Sequence, residues 1–274
     1  MRGDWFSGEQ HQSFARIEGD SGALLLHGFM GTPAELYPIS GVLEQNGFST
    51  YGPLLPGFGE RVDTLSGVGR EEWIGEPGQL WEELHRAGKG QVLVGFSMGG
   101  AIALNLARQY PPERLILLAP LWKVMGGDWR LRLLPVLKRF VKQIQPFAGA
   151  DLDDPEIRTF FADAMPDLDL DDPDVREIIR NEITLSTSTL DELRHLAAST
   201  GELAPEIDVP TLVIQGKTDT SVRCEDTRSL VDRMNAENTE YVEVDAGHML
   251  VADSGNAWEE VRDLIVNFVN GRNA

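Results

Sequence analysis

One serine stands between two glycines in Gly95-Phe96-Ser97-Met98-Gly99, with the apolar run 91–96 before it and the helix-forming run 98–110 after it. A strand that turns at once into a helix leaves room for little beside the bend except glycine. It also lifts the serine to the positive end of the helix dipole. A serine hydroxyl is a weak nucleophile at neutral pH and needs a base. The chain has five histidines, His11, His27, His85, His195 and His248. His248 lies in Val244-Asp245-Ala246-Gly247-His248-Met249, after the last predicted strand and before the last predicted helix. Loops beyond the carboxyl ends of strands collect ligand chemistry in open sheets, so His248 is read as the base. His27 ends a strand and introduces a glycine loop, which it is expected to hold by hydrogen bonding. His85 and His195 fall in predicted helices, and His11 in an N-terminal tail.

A base of this kind needs a carboxylate to fix its tautomer and to stabilise the imidazolium. Asp219 ends the run Thr211-Leu212-Val213-Ile214-Gln215-Gly216-Lys217-Thr218-Asp219, again just past a strand, and ranks first. Asp245, three residues from His248, ranks second, and Asp226 third. A tetrahedral oxyanion needs two preorganised donors. The backbone N–H of Met98, next to the serine, is one. The other is placed at the backbone N–H of Phe29, in His27-Gly28-Phe29-Met30-Gly31.

These residues need a frame. Short apolar runs at 23–27, 48–55, 91–96, 115–119, 211–215 and 240–244 read as strands. They alternate with predicted helices at 33–45, 73–87, 98–110, 226–236 and 257–270. Thr32, Pro33 and Glu35 have the spacing of a capping box with its favoured proline, and Asn46-Gly47 is the stop signal. Alternation of this kind predicts an α/β fold: a mostly parallel central sheet with helices on both faces. Between 122 and 200 no clear strand is visible. The expectation is a core built from 1–120 and 201–274, interrupted by a helical insert at 121–200.

The totals limit the function classes. With 42% hydrophobic residues in 274, the chain can bury a sizeable core. A net charge of −20 repels phosphate backbones and disfavours nucleic acid as a partner. The one cysteine, Cys224, can form neither an intrachain disulfide nor a thiolate metal cluster, and no ligand cluster for a metal or cofactor is visible. No apolar run approaches the roughly 18 residues of a membrane span. The start, MRGDWFSGEQHQSF, lacks the apolar centre of a signal peptide, so a cytoplasmic location is expected.

Taken in order, HGFMGTP, PLLPGFGE, GFSMGG, GKTDTSV and AGHMLVAD resemble the α/β-hydrolase superfamily, and within it bacterial carboxylesterases and monoacylglycerol lipases. The resemblance covers 23–268. It implies a Ser97, Asp219, His248 triad, oxyanion donors at Phe29 and Met98, and an insert that caps an acyl pocket. It also implies a small acyl ester as substrate and no cofactor. Members of this type often carry histidine in the stretch occupied here by Pro56-Gly57-Phe58-Gly59, so Phe58 is expected to alter the pocket edge. The tract WRLRLLPVLKRFVKQIQPF at 129–147 holds Arg130, Arg132, Lys138, Arg139 and Lys142 and no acid. It is read as a cap helix whose bases pair with the acidic stretch 151–174; contact with an anionic lipid surface is the weaker reading. The same triad also serves carbon–carbon, thioester or amide cleavage, as in a meta-cleavage product hydrolase. A ligand-binding member of the fold without catalysis is a further alternative. A dehalogenase or epoxide hydrolase is disfavoured, because its nucleophile is an aspartate and position 97 is serine.

Overall fold

The computed structural model describes residues 6, 8–124, 141–155, 157–158, 161, 168–252 and 257–271. In chain order the elements are β1 (Phe14–Arg16), β2 (Ser21–Leu26), α1 (Tyr37–Gln45), β3 (Phe48–Gly52), α2 (Arg70–Arg86), β4 (Gly90–Phe96), α3 (Met98–Gln109) and β5 (Arg114–Leu118). After these come β6 (Gln143–Ile144), α4 (Pro173–Glu182), β7 (Leu185–Ser186), α5 (Thr187–Leu203), β8 (Thr211–Gly216), α6 (Cys224–Val231), β9 (Thr239–Val244) and α7 (Trp258–Val269). Seven strands form one sheet in the order β1-β3-β2-β4-β5-β8-β9. Only the β1–β3 pair is antiparallel, and the other pairs are parallel.

The apolar runs become the centre of this sheet. Every residue of β8 is buried, and so is 22–26 of β2, which requires cover on both faces. Helices α2, α3 and α5 contact one another, and α1 contacts α7. Trp73 and Trp81 on α2 are fully buried. Each indole donates to a backbone carbonyl, Trp73 Nε1–H to Pro56 at 3.1 Å and Trp81 Nε1–H to Tyr110 at 2.8 Å. Helix α1 stops at Asn46, whose side chain donates to the Val42 carbonyl at 2.8 Å, and Gly47 follows at φ 85°.

Three sequence expectations are corrected. The predicted helix 33–45 is a 3-10 turn at Pro33–Leu36 followed by α1, and the Thr32 side chain caps nothing. Its hydroxyl is engaged at 2.9 Å by Nδ1 of His11, so His11 is anchored rather than free in a tail. A strand pair also occurs within 122–200: β6 runs antiparallel to β7, with Gln143 opposite Ser186 and Ile144 opposite Leu185. Two-residue strands are too short to leave a periodic pattern.

In the segment between β5 and β8, Leu152, Phe161, Leu170, Ile179 and Ile183 form a separate apolar cluster that Phe6 joins from the N-terminal end of the chain. Arg130, Arg132, Lys138 and Arg139 lie outside the described residues. Within the acidic stretch, Arg158 binds Asp171 at 2.9 Å and Arg176 binds Asp153. Thr200 on α5 donates to the Leu121 carbonyl at 3.0 Å and so ties the two ends of the segment together.

Helix α3 approaches the sheet closely at Gly99, where a Cβ would run into the Leu26 and His27 carbonyls at the end of β2. Gly99→Ala should therefore lower stability by about 1–3 kcal/mol in urea unfolding, as overpacking does. A variant as stable as wild type would contradict this close packing of α3 on β2.

Candidate active site

At Ser97 the chain turns directly from β4 into α3, with φ 52° and ψ −115°. For a residue with a Cβ this costs about 1–3 kcal/mol unless neighbours impose it. They do. The Ser97 N–H donates to the Leu118 carbonyl at 2.9 Å, and the Ser97 carbonyl accepts from Leu121 N–H at 2.9 Å and Gly100 N–H at 3.0 Å. A Cβ on Gly95 would collide with the backbone of Gly99 and Gly100. Among the described residues two other non-glycine residues have positive φ, Met30 at 65° and Ala119 at 44°, and both lie beside this bend or in the glycine loop facing it.

Nε2 of His248 lies 3.1 Å from Ser97 Oγ, and its Nδ1 lies 2.7 Å from Asp219 Oδ2. With Nδ1 protonated toward the carboxylate, Nε2 is left free to accept the serine proton. Asp219 is fixed in turn. Its Oδ1 accepts the N–H groups of Ser221 and Val222 at 2.8 Å each, and Gln215 Nε2 donates to Oδ2 at 3.0 Å. The Gln215 amide is oriented by Thr227, whose hydroxyl donates to Gln215 Oε1 at 2.6 Å. The loops after β8 and β9 are joined where Thr218 donates to the Ala246 carbonyl, through its N–H at 3.0 Å and its hydroxyl at 2.9 Å. Gly216 makes this crossing feasible, because a Cβ there would strike the Gly247 carbonyl. The Phe96 ring packs 5.0 Å from the His248 ring.

The other candidates fall elsewhere. Asp245 is exposed, and Asp226 is held by Lys123 at 2.8 Å and Arg223 at 3.2 Å. His85 is exposed on α2, and Nδ1 of His195 bonds the Asp191 carbonyl one turn back at 2.8 Å. The Cys224 thiol donates to the Gly216 carbonyl at 3.2 Å, and burial pushes its pKa up, away from thiolate chemistry. Among the described residues no group of His, Cys, Asp and Glu is placed to hold a metal ion, and no helix is long and apolar enough to cross a membrane.

Among the described residues the backbone N–H groups of Phe29 and Met98 donate to no protein acceptor. Met98 is fully buried at the first position of α3, where an unpaired donor is costly. The Phe29 loop faces the bend: a Cβ on Gly28 would lie 3.4 Å from Ser97 Cβ. His27 holds that loop. Its Nδ1–H donates to the Gly28 carbonyl at 2.9 Å, and its Nε2 accepts Leu55 N–H at 3.0 Å. Burial lowers its pKa to about 4, so the ring is neutral and its tautomer is set by these two bonds. Phe58 packs edge-on to His27 at 5.5 Å and to Phe29 at 5.6 Å and lies 6.1 Å from Trp73. It is thus a fully buried support of the loop rather than a polar group at a pocket edge.

Sequence reading missed Glu35, Gln215 and His11. Glu35 does not close a capping box; its Oε2 accepts the Gly28 N–H at 3.1 Å. Desolvation raises its pKa to about 7, against the lowering effects of the Gly28 bond and of His248.

A strained serine bend, a Ser–His–Asp line and two unpaired amides at the carboxyl ends of a mostly parallel sheet define an α/β-hydrolase. The family described as serine aminopeptidase, S33, matches residues 21–255, and the chain belongs to it. The carboxylesterase of Bacillus subtilis (strain 168) is 22% identical over 251 residues, covering 90% of this chain and 89% of that one. The thermostable monoacylglycerol lipase of Bacillus sp. (strain H-257) is 28% identical over 100 residues; the match spans 36% of this chain and 40% of the lipase. Among solved structures, the monoacylglycerol lipase of Paleococcus ferrophilus superposes with a TM-score of 0.69 at 18% identity, covering 94% of this chain and 98% of that one. A metagenome-derived lipolytic enzyme, from work on LipS and LipT, gives 0.74 at 16% identity over 96% and 99%.

The two shifted groups make opposite contributions to stability. His27 binds fewer protons in the native than in the unfolded chain between about pH 4 and 6.5, so its contribution is lost as pH falls through that window. Glu35 binds more protons in the native chain between 4.5 and about 7, so its contribution is lost as pH rises. In Glu35→Gln only the His27 slope remains. Unfolding free energy should then rise by roughly 2 kcal/mol more than in wild type between pH 4.5 and 6.5. Urea titrations across this range check it, and parallel pH curves for the two proteins would contradict it.

Proposed function

We propose that the chain hydrolyses carboxylic esters of the kind cleaved by carboxylesterases and monoacylglycerol lipases, through an acyl-enzyme on Ser97. The observation that carries this reading is the unbroken line from Ser97 Oγ to His248 Nε2 at 3.1 Å and from His248 Nδ1 to Asp219 Oδ2 at 2.7 Å. His248 takes the serine proton as Oγ attacks the ester carbonyl. The oxyanion that forms is met by the N–H groups of Phe29 and Met98. The intermediate collapses, His248 protonates the departing alcohol, and the acyl group stays on Ser97. Water then enters, gives its proton to His248, and attacks the acyl carbonyl. A second oxyanion collapses, the carboxylic acid leaves, and Ser97 regains its proton. Asp219 remains ionised throughout and offsets the imidazolium charge. No cofactor takes part.

In this reading 1–120 and 201–274 form the catalytic core, and 121–200 caps the acyl pocket. The alcohol and acyl parts are small uncharged molecules, in keeping with a surface of net charge −20. Ester rather than another acyl bond follows from the names of the two Bacillus relatives, since the triad itself serves thioester, amide and carbon–carbon cleavage as well.

Hydrolysis of p-nitrophenyl butyrate, p-nitrophenyl laurate and 1-monolauroylglycerol tests the reading. Ser97→Ala should lower kcat by at least about 10⁴-fold, and Asp219→Asn by about 10⁴-fold. Turnover that survives in Ser97→Ala would contradict the mechanism. A wild type that cleaves none of the three esters would move the reaction to another acyl or carbon–carbon bond.

A further inference from the structure

We propose that Glu35 is a positioning residue: from behind the glycine loop it holds the Gly28 N–H and so fixes the peptide next to the one that presents the Phe29 N–H to Ser97. The inference rests on the reading of Ser97 as nucleophile and of Phe29 as oxyanion donor.

Two peptide planes meet at the Cα of Gly28. One carries the Gly28 N–H; the other carries the Gly28 carbonyl together with the Phe29 N–H. His27 Nδ1–H grips that carbonyl at 2.9 Å, on the opposite edge of the same plane from the Phe29 N–H. The first plane is gripped by Glu35, whose Oε2 accepts the Gly28 N–H at 3.1 Å. Glycine has no side chain to restrain its dihedrals, so both planes need an external hold. The loop closes on itself only through the bond from Gly31 N–H to the Gly28 carbonyl, at 3.3 Å. Met30 between them is at φ 65°, a conformation its surroundings must impose.

The second glycine of the loop makes room for the same carboxyl group. A Cβ on Gly31 would run into both oxygens of Glu35. Gly28 faces the bend, where a Cβ would lie 3.3 Å from the Phe96 ring and 3.4 Å from Ser97 Cβ. The two glycines that bracket Phe29 and Met30 therefore pack against the bend on one side and admit Glu35 on the other.

The groups that act on the carboxyl are the Gly28 amide from the loop and His248 from the turn after β9. His27 binds the loop through the Gly28 carbonyl, and His11 binds it through Thr32. Ionised or neutral, the carboxyl keeps an oxygen that accepts the Gly28 N–H, so positioning persists across pH.

The test is the rate at which a fluorophosphonate labels Ser97, a reaction that uses the same nucleophile and donors and is independent of the natural substrate. Glu35→Leu and Gly31→Ala should each slow labelling by about 10- to 100-fold, as expected for a displaced oxyanion donor. Glu35→Gln, which keeps an accepting oxygen and lacks the charge, should recover to within about threefold of wild type at pH 8. Folded Glu35→Leu that labels at the wild-type rate would overturn the inference, as would Glu35→Gln that is as slow as Glu35→Leu. Should Glu35→Leu and Gly31→Ala fail to fold, Glu35→Gln decides, and labelling more than about 10-fold slower than wild type overturns the proposal. Wild type that does not label at all would overturn the nucleophile reading, and this inference with it.

Discussion

The structure depends first on a backbone bend that no L-residue prefers. Ser97, at φ 52° and ψ −115°, is held there because it is the one residue between the end of β4 and the start of α3. The bend survives because its surroundings tolerate nothing else. Gly95 and Gly99 leave no room for a side chain, and the N–H and carbonyl of Ser97 are both bonded to the chain around β5. The strain is small beside the apolar surface of the central strands, which fixes where β4 and α3 lie.

The sheet delivers everything else to that bend. Strands β2, β4, β8 and β9 are parallel and end at one edge, so the loops that follow them share it. The loop after β2 carries Phe29, the end of β4 carries Ser97, the turn after β8 carries Asp219 and the turn after β9 carries His248. Polar contacts between these loops set the distances to a fraction of an ångström: Thr218 on Ala246, His27 on Leu55, and Glu35 on Gly28. The His27–Leu55 bond is buried, where a hydrogen bond is stronger and an unpaired partner more costly, whereas the Gly28–Glu35 bond is half-buried and the Thr218–Ala246 bond exposed. The site is thus positioned by loop-to-loop bonds that add little to the fold itself.

Much of this was legible in the chain. Continuous apolar runs between glycine loops indicate buried parallel strands, and the strand–serine–helix order singles out Ser97 without reference to any relative. Asp219 and His248 are singled out because both follow strands, and the structure brings Asp219 within hydrogen-bond reach of His248 and His248 within reach of Ser97. What was not legible depended on competition between partners. Thr32 and Glu35 have capping-box spacing, but the Thr32 hydroxyl meets His11 and the Glu35 carboxyl meets Gly28, both choices made by residues outside the local window. Gln215 reads as one more strand residue, and its role appears only when Asp219 folds back over it. The strands β1, β6 and β7 are two or three residues long and partly exposed, so no period marks them. Phe58, expected from the family resemblance to alter the pocket edge, packs beneath the loop against His27 and Phe29.

The account stands or falls on a covalent bond at Ser97. The most direct measurement is mass spectrometry of wild-type protein mixed with p-nitrophenyl butyrate, quenched in acid within the first turnover and digested. The account predicts one butyryl group, on the peptide that contains Ser97 and on no other. An unmodified Ser97 peptide during active turnover, or a butyryl group on another residue, would contradict it.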